Sequence, residues 1–163
     1  LPFERTMPQV PDVPLDGLYG DLILDHYRSP RNRGQVFQPD IEAEEFNPFC
    51  GDRVILQLKL DTNGRVVGVG AQSEGCSIIQ ATASMMSETL IGKQLDQLDG
   101  LAELFRGVMQ AKTPLEEKSS DLGPLKALTV VRQFPVRIKC ALLPWTALEE
   151  GIKAHRSDWT RGQ

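Results

Sequence analysis

Three cysteines are spread across most of this chain: Cys50, Cys76 and Cys140. None is near enough to another to form a local Cys-x-x-Cys clip, and the odd count argues against a disulfide framework. If these thiols act together, only a tertiary fold can bring them there. Asp52 follows the first thiol by two residues, and in an extended segment such side chains share a face. Three thiols and a carboxylate are a four-donor set suited to tetrahedral zinc. Sulfur-rich ligation suits an iron–sulfur cluster as well. With all thiols ionised the set would carry roughly −4 against +2 on a zinc ion. Arg137 and Lys139, close to Cys140 in sequence, are candidates to offset the remainder and to hold a thiol acidic. Judged singly, each cysteine is equally consistent with core packing.

The chain has 163 residues, a length that accommodates one domain with a real core. Its net charge of −4 argues against a nucleic-acid partner, which calls for a basic field. No apolar run approaches the roughly 20 residues that span a bilayer, and no secretory signal is visible near Leu1. Unpaired thiols fit the reducing cytoplasm.

Pro2, Pro8, Pro11 and Pro14 mark residues 1–15 as a poorly ordered arm. Asp16 is placed to cap a helix running to about Arg28, stopped by Ser29-Pro30. Val54, Leu56, Leu58 and Leu60 alternate with Ile55, Gln57 and Lys59, the pattern of a half-buried strand. The turn signal Asp61-Thr62-Asn63-Gly64 predicts an antiparallel return over 65–73, and a further strand is expected near 42–47. Helical spacing resumes after Cys76, with Gly92 as its C-terminal cap. Asp99 is read as the cap of a helix over 100–110, and 113–121 as a loop. Helical stretches are expected near 121–132 and 138–155, with Pro144 either kinking the last or starting it. Such segregated elements predict an α+β fold, a small antiparallel sheet of about three strands packed against several helices.

Cys76 precedes one expected helix and Cys140 lies near the start of another, and helix N-termini favour a thiolate. His26 is read as a surface or structural residue, Met85-Met86 as core, and Arg31 and Arg33 as solvated. A thiol hydrolase using Cys140 or Cys50 with His26 as base is a competing reading, but neither His26 nor His155 sits in a recognisable nucleophile motif.

Four segments together resemble the IscU/NifU-type iron–sulfur assembly scaffolds. They are Asp25–Gly34 (DHYRSPRNRG), Asn47–Asp52 (NPFCGD), Gly75–Ile78 followed by Ala83–Met86, and Arg137–Ala141 (RIKCA). The likeness covers about 18–153, which implies a single IscU/SufU-like domain over 16–156 with a tail from 157. Lys139 stands where the IscU branch has a histidine, and Phe134–Arg137 replaces its chaperone-recruiting element. Lys139 and an insertion at about 99–125 both resemble the SufU branch. Ile79 and Thr82 depart from the serines common in the family.

That resemblance implies a zinc-bound sulfur acceptor serving a pyridoxal-phosphate cysteine desulfurase and passing sulfur to a downstream scaffold or apo-proteins. The zinc ligands would be Cys50, Asp52, Cys76 and Cys140. A desulfurase histidine would take over one zinc position, and Cys50 would accept the sulfur. Arg137 and Lys139 would flank the site. The alternative within the family is a scaffold that builds a [2Fe–2S] cluster on the cysteines.

Overall fold

The computed structural model of the chain describes residues 17–48, 51–112 and 121–161. The expected arm at 1–15, the Asp16 cap, Cys50 and most of the 113–121 loop lie outside the described residues. Helix α1 (Gly17–Arg28) leads into strands β1 (Ile41–Asn47), β2 (Asp52–Leu60) and β3 (Val66–Glu74), then helices α2 (Ser77–Leu90) and α3 (Leu95–Met109). A 3-10 helical stretch (Gly123–Gln133) and a long final helix α4 (Pro135–Arg161) follow.

The sheet is antiparallel in the order β1-β2-β3. Its inner face carries Val54, Leu56 and Leu58, all buried, and the predicted alternation holds to 58 but lapses at half-buried Leu60, where the register with β3 shifts. The Asp61–Gly64 turn closes the β2–β3 hairpin as expected. Asp61 accepts hydrogen bonds from the amides of Asn63 and Arg65, both at 2.9 Å, and Gly64 supplies the positive φ of +80°. Helix α2 lies against β3, α1 and α4 and is buried from Ser77 to Met86 almost without interruption. Helix α4 crosses β1 at Gly151, where a Cβ would come within 2.8 Å of Ile41 and 3.2 Å of Ala43.

Three elements differ from the sequence reading, each for a local reason. Helix α3 begins at Leu95, not near 100. Gln94 and Gln97 form a reciprocal capping box, and the buried stripe of Leu98, Leu101, Phe105 and Val108 extends the helical pattern back to it. Asp99 is no cap; together with Asp96 it holds Arg156 of α4, at 2.6 and 3.1 Å. Residues 123–133 wind as a 3-10 helix because Leu122, Leu125, Leu128 and Val131 recur every third position and all are buried, which three residues per turn aligns on one edge. Helix α4 starts at Pro135, where the fixed φ suits a first turn, and runs through Pro144 to Arg161, into the stretch expected as a tail. Pro144 removes the helical hydrogen bond to the carbonyl four residues earlier, that of Cys140.

Residues 29–36 strap α1 to α2 and to the sheet. The Arg31 amide donates to Ser84 Oγ at 2.8 Å, Asn32 Nδ2 to Ser87 Oγ at 3.0 Å, and the Ala71 amide to the Asn32 carbonyl at 2.7 Å. Gly70 has no Cβ because the Gly34 carbonyl occupies that space. Arg31 is therefore not simply solvated: it pairs with Asp25 at 2.5 Å and reaches Glu88 at 3.9 Å. Arg33 is exposed, as expected. His26 is 4% exposed, with Nδ1 at 2.7 Å from Ser84 Oγ and Nε2 at 3.6 Å from Glu88.

Two outcomes follow. Gly151→Val should lower the unfolding free energy by about 1–3 kcal/mol in urea titration, because the α4–β1 crossing has no room for the side chain. Burial first, and the Arg31 charge second, hold the His26 pKa below its usual 6.5. The unfolded chain therefore takes up this proton at higher pH than the folded one. The stability contribution is full above pH 6.5 and is lost as pH falls through the depressed folded value. Denaturation from pH 7.5 downward should show that loss, and His26→Gln should flatten it, on the order of the one-proton slope that linkage allows.

Candidate metal centre

Three segments converge at one end of the sheet. Asp52 is the first residue of β2, opposite Asn47 of β1, and its alternation points it inward while Arg53 points outward to Glu44 at 2.5 Å. Cys76 is the N-cap of α2, in extended backbone with φ −70° and ψ 168°. Cys140 lies in the second turn of α4 and is buried, as is Asp52; Cys76 is half-buried.

The donor atoms of Asp52, Cys76 and Cys140 all lie within 4.8 Å of one another. Cys140 Sγ donates to Asp52 Oδ2 at 3.1 Å, and the Cys76 amide donates to Asp52 Oδ1 at 3.4 Å. Arg137 Nη1 is 4.0 Å from Cys140 Sγ, one helical turn away, so a cation does flank the thiols. Lys139 is exposed and lines a surface pocket of about 380 Å³ with Phe46, Pro48, Leu142 and Leu143, on the flank of the centre. Cys50 lies outside the described residues. Gly51 separates it from Asp52, and the Gly51 amide closes the β1–β2 turn on the Asn47 carbonyl at 2.9 Å.

The two described thiols titrate as a pair. A hydrogen bond from Cys140 lowers the Cys76 pKa to about 6, aided by the amides of Ile79 and Ile78 at the start of α2 and opposed by burial and Asp52. The Cys76 thiolate, then burial, then Asp52 push the Cys140 thiol far up. One proton is thus retained on Cys140 and released from Cys76. One buried and one half-buried thiol sharing a proton beside a carboxylate make a donor set that a divalent cation would complete. In tetrahedral zinc–thiolate sites, Zn–S bonds of about 2.3 Å put sulfurs roughly 3.8 Å apart, so donors gathered within 4.8 Å fit with small shifts.

His26 is not near these thiols. It engages Ser84 and Glu88, about two and three turns along α2 from Cys76, on the order of 12 and 18 Å by helical rise. The reading of His26 as base for Cys140 is therefore corrected. The Ser84–His26–Glu88 chain has the outline of a hydrolytic triad, but Ser84 is 1% exposed and its Oγ already accepts the Arg31 amide. It is a clamp. What the sequence reading missed is Gly75: its φ is +134°, and the space beside it is filled by the Asp52 carboxylate. A glycine immediately before a helix-capping thiol was the available signal.

Fold and donor set define a class: a small α+β protein with a thiolate–carboxylate centre suited to a metal. The chain belongs to the NifU-like N terminal domain family, which matches residues 18–141. It is 45% identical to the zinc-dependent sulfurtransferase SufU of Bacillus subtilis (strain 168) over 85% of this chain and 91% of that protein. It is 36% identical to the iron–sulfur cluster assembly scaffold protein IscU of Streptococcus pyogenes serotype M1, over 85% of each chain. Among solved structures, FiSufU of Fervidobacterium islandicum AW-1, described as a candidate iron–sulfur cluster assembly scaffold for the SUF system, aligns with a TM-score of 0.74. It shares 29% identity, covering 81% of this chain and 94% of that one. Among the described residues no helix is long and apolar enough to cross a membrane.

In metal-free protein, alkylation of Cys76 by iodoacetamide should rise with pH through about 6, as its thiolate forms, while Cys140 stays unmodified into alkaline solution. Peptide mass spectrometry across a pH series reads both sites.

Proposed function

We propose that this protein serves iron–sulfur cluster assembly as a zinc-dependent sulfur acceptor. In this reading Cys50, Asp52, Cys76 and Cys140 hold one zinc ion, and Cys50 is the thiol that receives sulfur. The observation that carries it is the convergence of Asp52, Cys76 and Cys140 from three distant segments. The sulfurtransferase activity for which the Bacillus relative is named supplies the chemistry that such a donor set would serve. The proposed donor is a pyridoxal-phosphate cysteine desulfurase, and the recipients are a downstream scaffold or apo-proteins in the cytoplasm. The working unit is a single domain over residues 16–156, with 99–125 as its insertion.

Zinc, when bound, keeps the thiols deprotonated and shields them from oxidation without redox chemistry of its own. The residues do the rest. The Cys50 thiolate attacks the outer sulfur of the desulfurase persulfide. A new sulfur–sulfur bond forms on Cys50, the old one breaks, and the desulfurase cysteine leaves as a thiolate. No net oxidation occurs. Arg137, close to Cys140, offsets the negative charge of the set, and Lys139 presents a cation at its rim.

Purified protein should contain about one zinc per chain by elemental analysis. Cys50→Ala should abolish its stimulation of a cysteine desulfurase and its labelling with persulfide sulfur. Undiminished stimulation by that variant would sink the sulfur-acceptor role. The identity to an IscU scaffold favours one second reading, assembly of a [2Fe–2S] cluster on the same cysteines. Anaerobic reconstitution that yields a stable cluster, transferable to an apo-ferredoxin, would select it.

A further inference from the structure

Gly75 differs from the other turn glycines near the sheet and helices. Gly51, Gly64, Gly92 and Gly123 have positive φ, yet a Cβ at any of them would meet nothing within 4 Å. These positions need glycine for backbone conformation alone. Gly75 needs it twice. Its φ of +134° is one that side chains rarely adopt, and a Cβ there would overlap the Asp52 carboxylate and lie 2.9 Å from Asp52 Cγ and 3.2 Å from its Cα.

The register explains the encounter. The last pair of the β2–β3 ladder is Arg53 with Glu74, so the next residues of the two strands, Asp52 and Gly75, face one another where the ladder ends. The Asp52 side chain fills the volume that a side chain at 75 would take. From that seat Oδ1 faces the Cys76 amide and Oδ2 accepts the Cys140 thiol. A Cβ at 75 would drive the carboxylate out of reach of both.

We infer that Gly75 is a positioning residue of the metal centre: the notch left by its missing side chain seats Asp52 and so sets where the carboxylate donor stands relative to the two thiols. This rests on the zinc reading above. Gly75 touches no metal and acts through Asp52.

Zinc affinity of the purified full chain, measured by chelator competition, tests it, together with thermal unfolding of the metal-free proteins. Gly75→Ala should weaken zinc binding by about 10–100-fold, the range found when a partner that orients a ligand is lost. In the Asp52→Gly background the same substitution should cost at least about tenfold less, because the carboxylate it displaces is absent and backbone strain is common to both backgrounds. Equal losses in the two backgrounds would overturn the inference. Should Gly75→Ala fail to fold, Asp52→Glu decides. It leaves the backbone at 75 alone but lengthens the carboxylate beyond the notch. It should lose at least about tenfold in zinc affinity, read on metal-free protein whose melting transition shows it folded. Affinity within about threefold of the parent overturns the notch. A parent chain that binds no zinc overturns the underlying reading instead.

Discussion

A carboxylate that is 2% exposed must be compensated by something other than water, and Asp52 is compensated by two chain segments far from it in sequence. It takes the Cys76 amide at the head of α2 and the Cys140 thiol of α4. The end of the sheet, the start of one helix and the second turn of another therefore meet at a single side chain. Breaking any of these contacts leaves a buried polar group without its partner, which costs more than the contact itself contributes. The centre is in that sense part of the core, and its geometry is set by packing.

Helix α2 makes this arrangement rigid. It is buried along most of its length, and its far half is held by the strap from Arg31 to Val36 through Ser84 and Ser87. Much of the Asp25–Gly34 segment, which carries part of the family resemblance, is thus mechanical: His26, Arg31 and Asn32 hold α1 and the strap against α2. The opposite wall is α4, joined to α3 by the Phe105–Trp145 stack at 5.0 Å and by Arg106 with Glu149 at 2.6 Å. A thiol carried between two anchored helices is held in place before any ion arrives, which lowers the ordering cost of binding.

Elements whose signal is a short-range period were legible. The alternation at 54–58, the Asp61–Gly64 turn and the stripe after Cys76 each depend on residues within a turn or a strand of one another. Boundaries set by side-chain competition were not. Asp99 has the chemistry of a cap, but Gln94 with Gln97 and the apolar stripe starting beside them won, and Arg156 claimed Asp99 from across the fold. The 3-10 winding of 123–133 was written in the every-third-residue spacing of Leu122, Leu125, Leu128 and Val131, a period close enough to 3.6 to be read as an α-helix. Pro144 read locally as either a kink or a helix start because propensity alone disfavours it inside a helix, and burial on both sides of it carries α4 through.

By itself the sequence determined the donor types, the order of elements and the kinship of the chain, because motifs and periodicities are local properties of neighbouring residues. Only the tertiary structure decided which of those residues meet. It brought Asp52, Cys76 and Cys140 to one point, left Lys139 exposed, turned His26 to Ser84 and gave Gly75 a role that its identity did not announce. The reason is physical: proximity between segments this far apart is a product of strand register and helix packing, and a glycine's function there lies in the space that another residue's side chain comes to occupy.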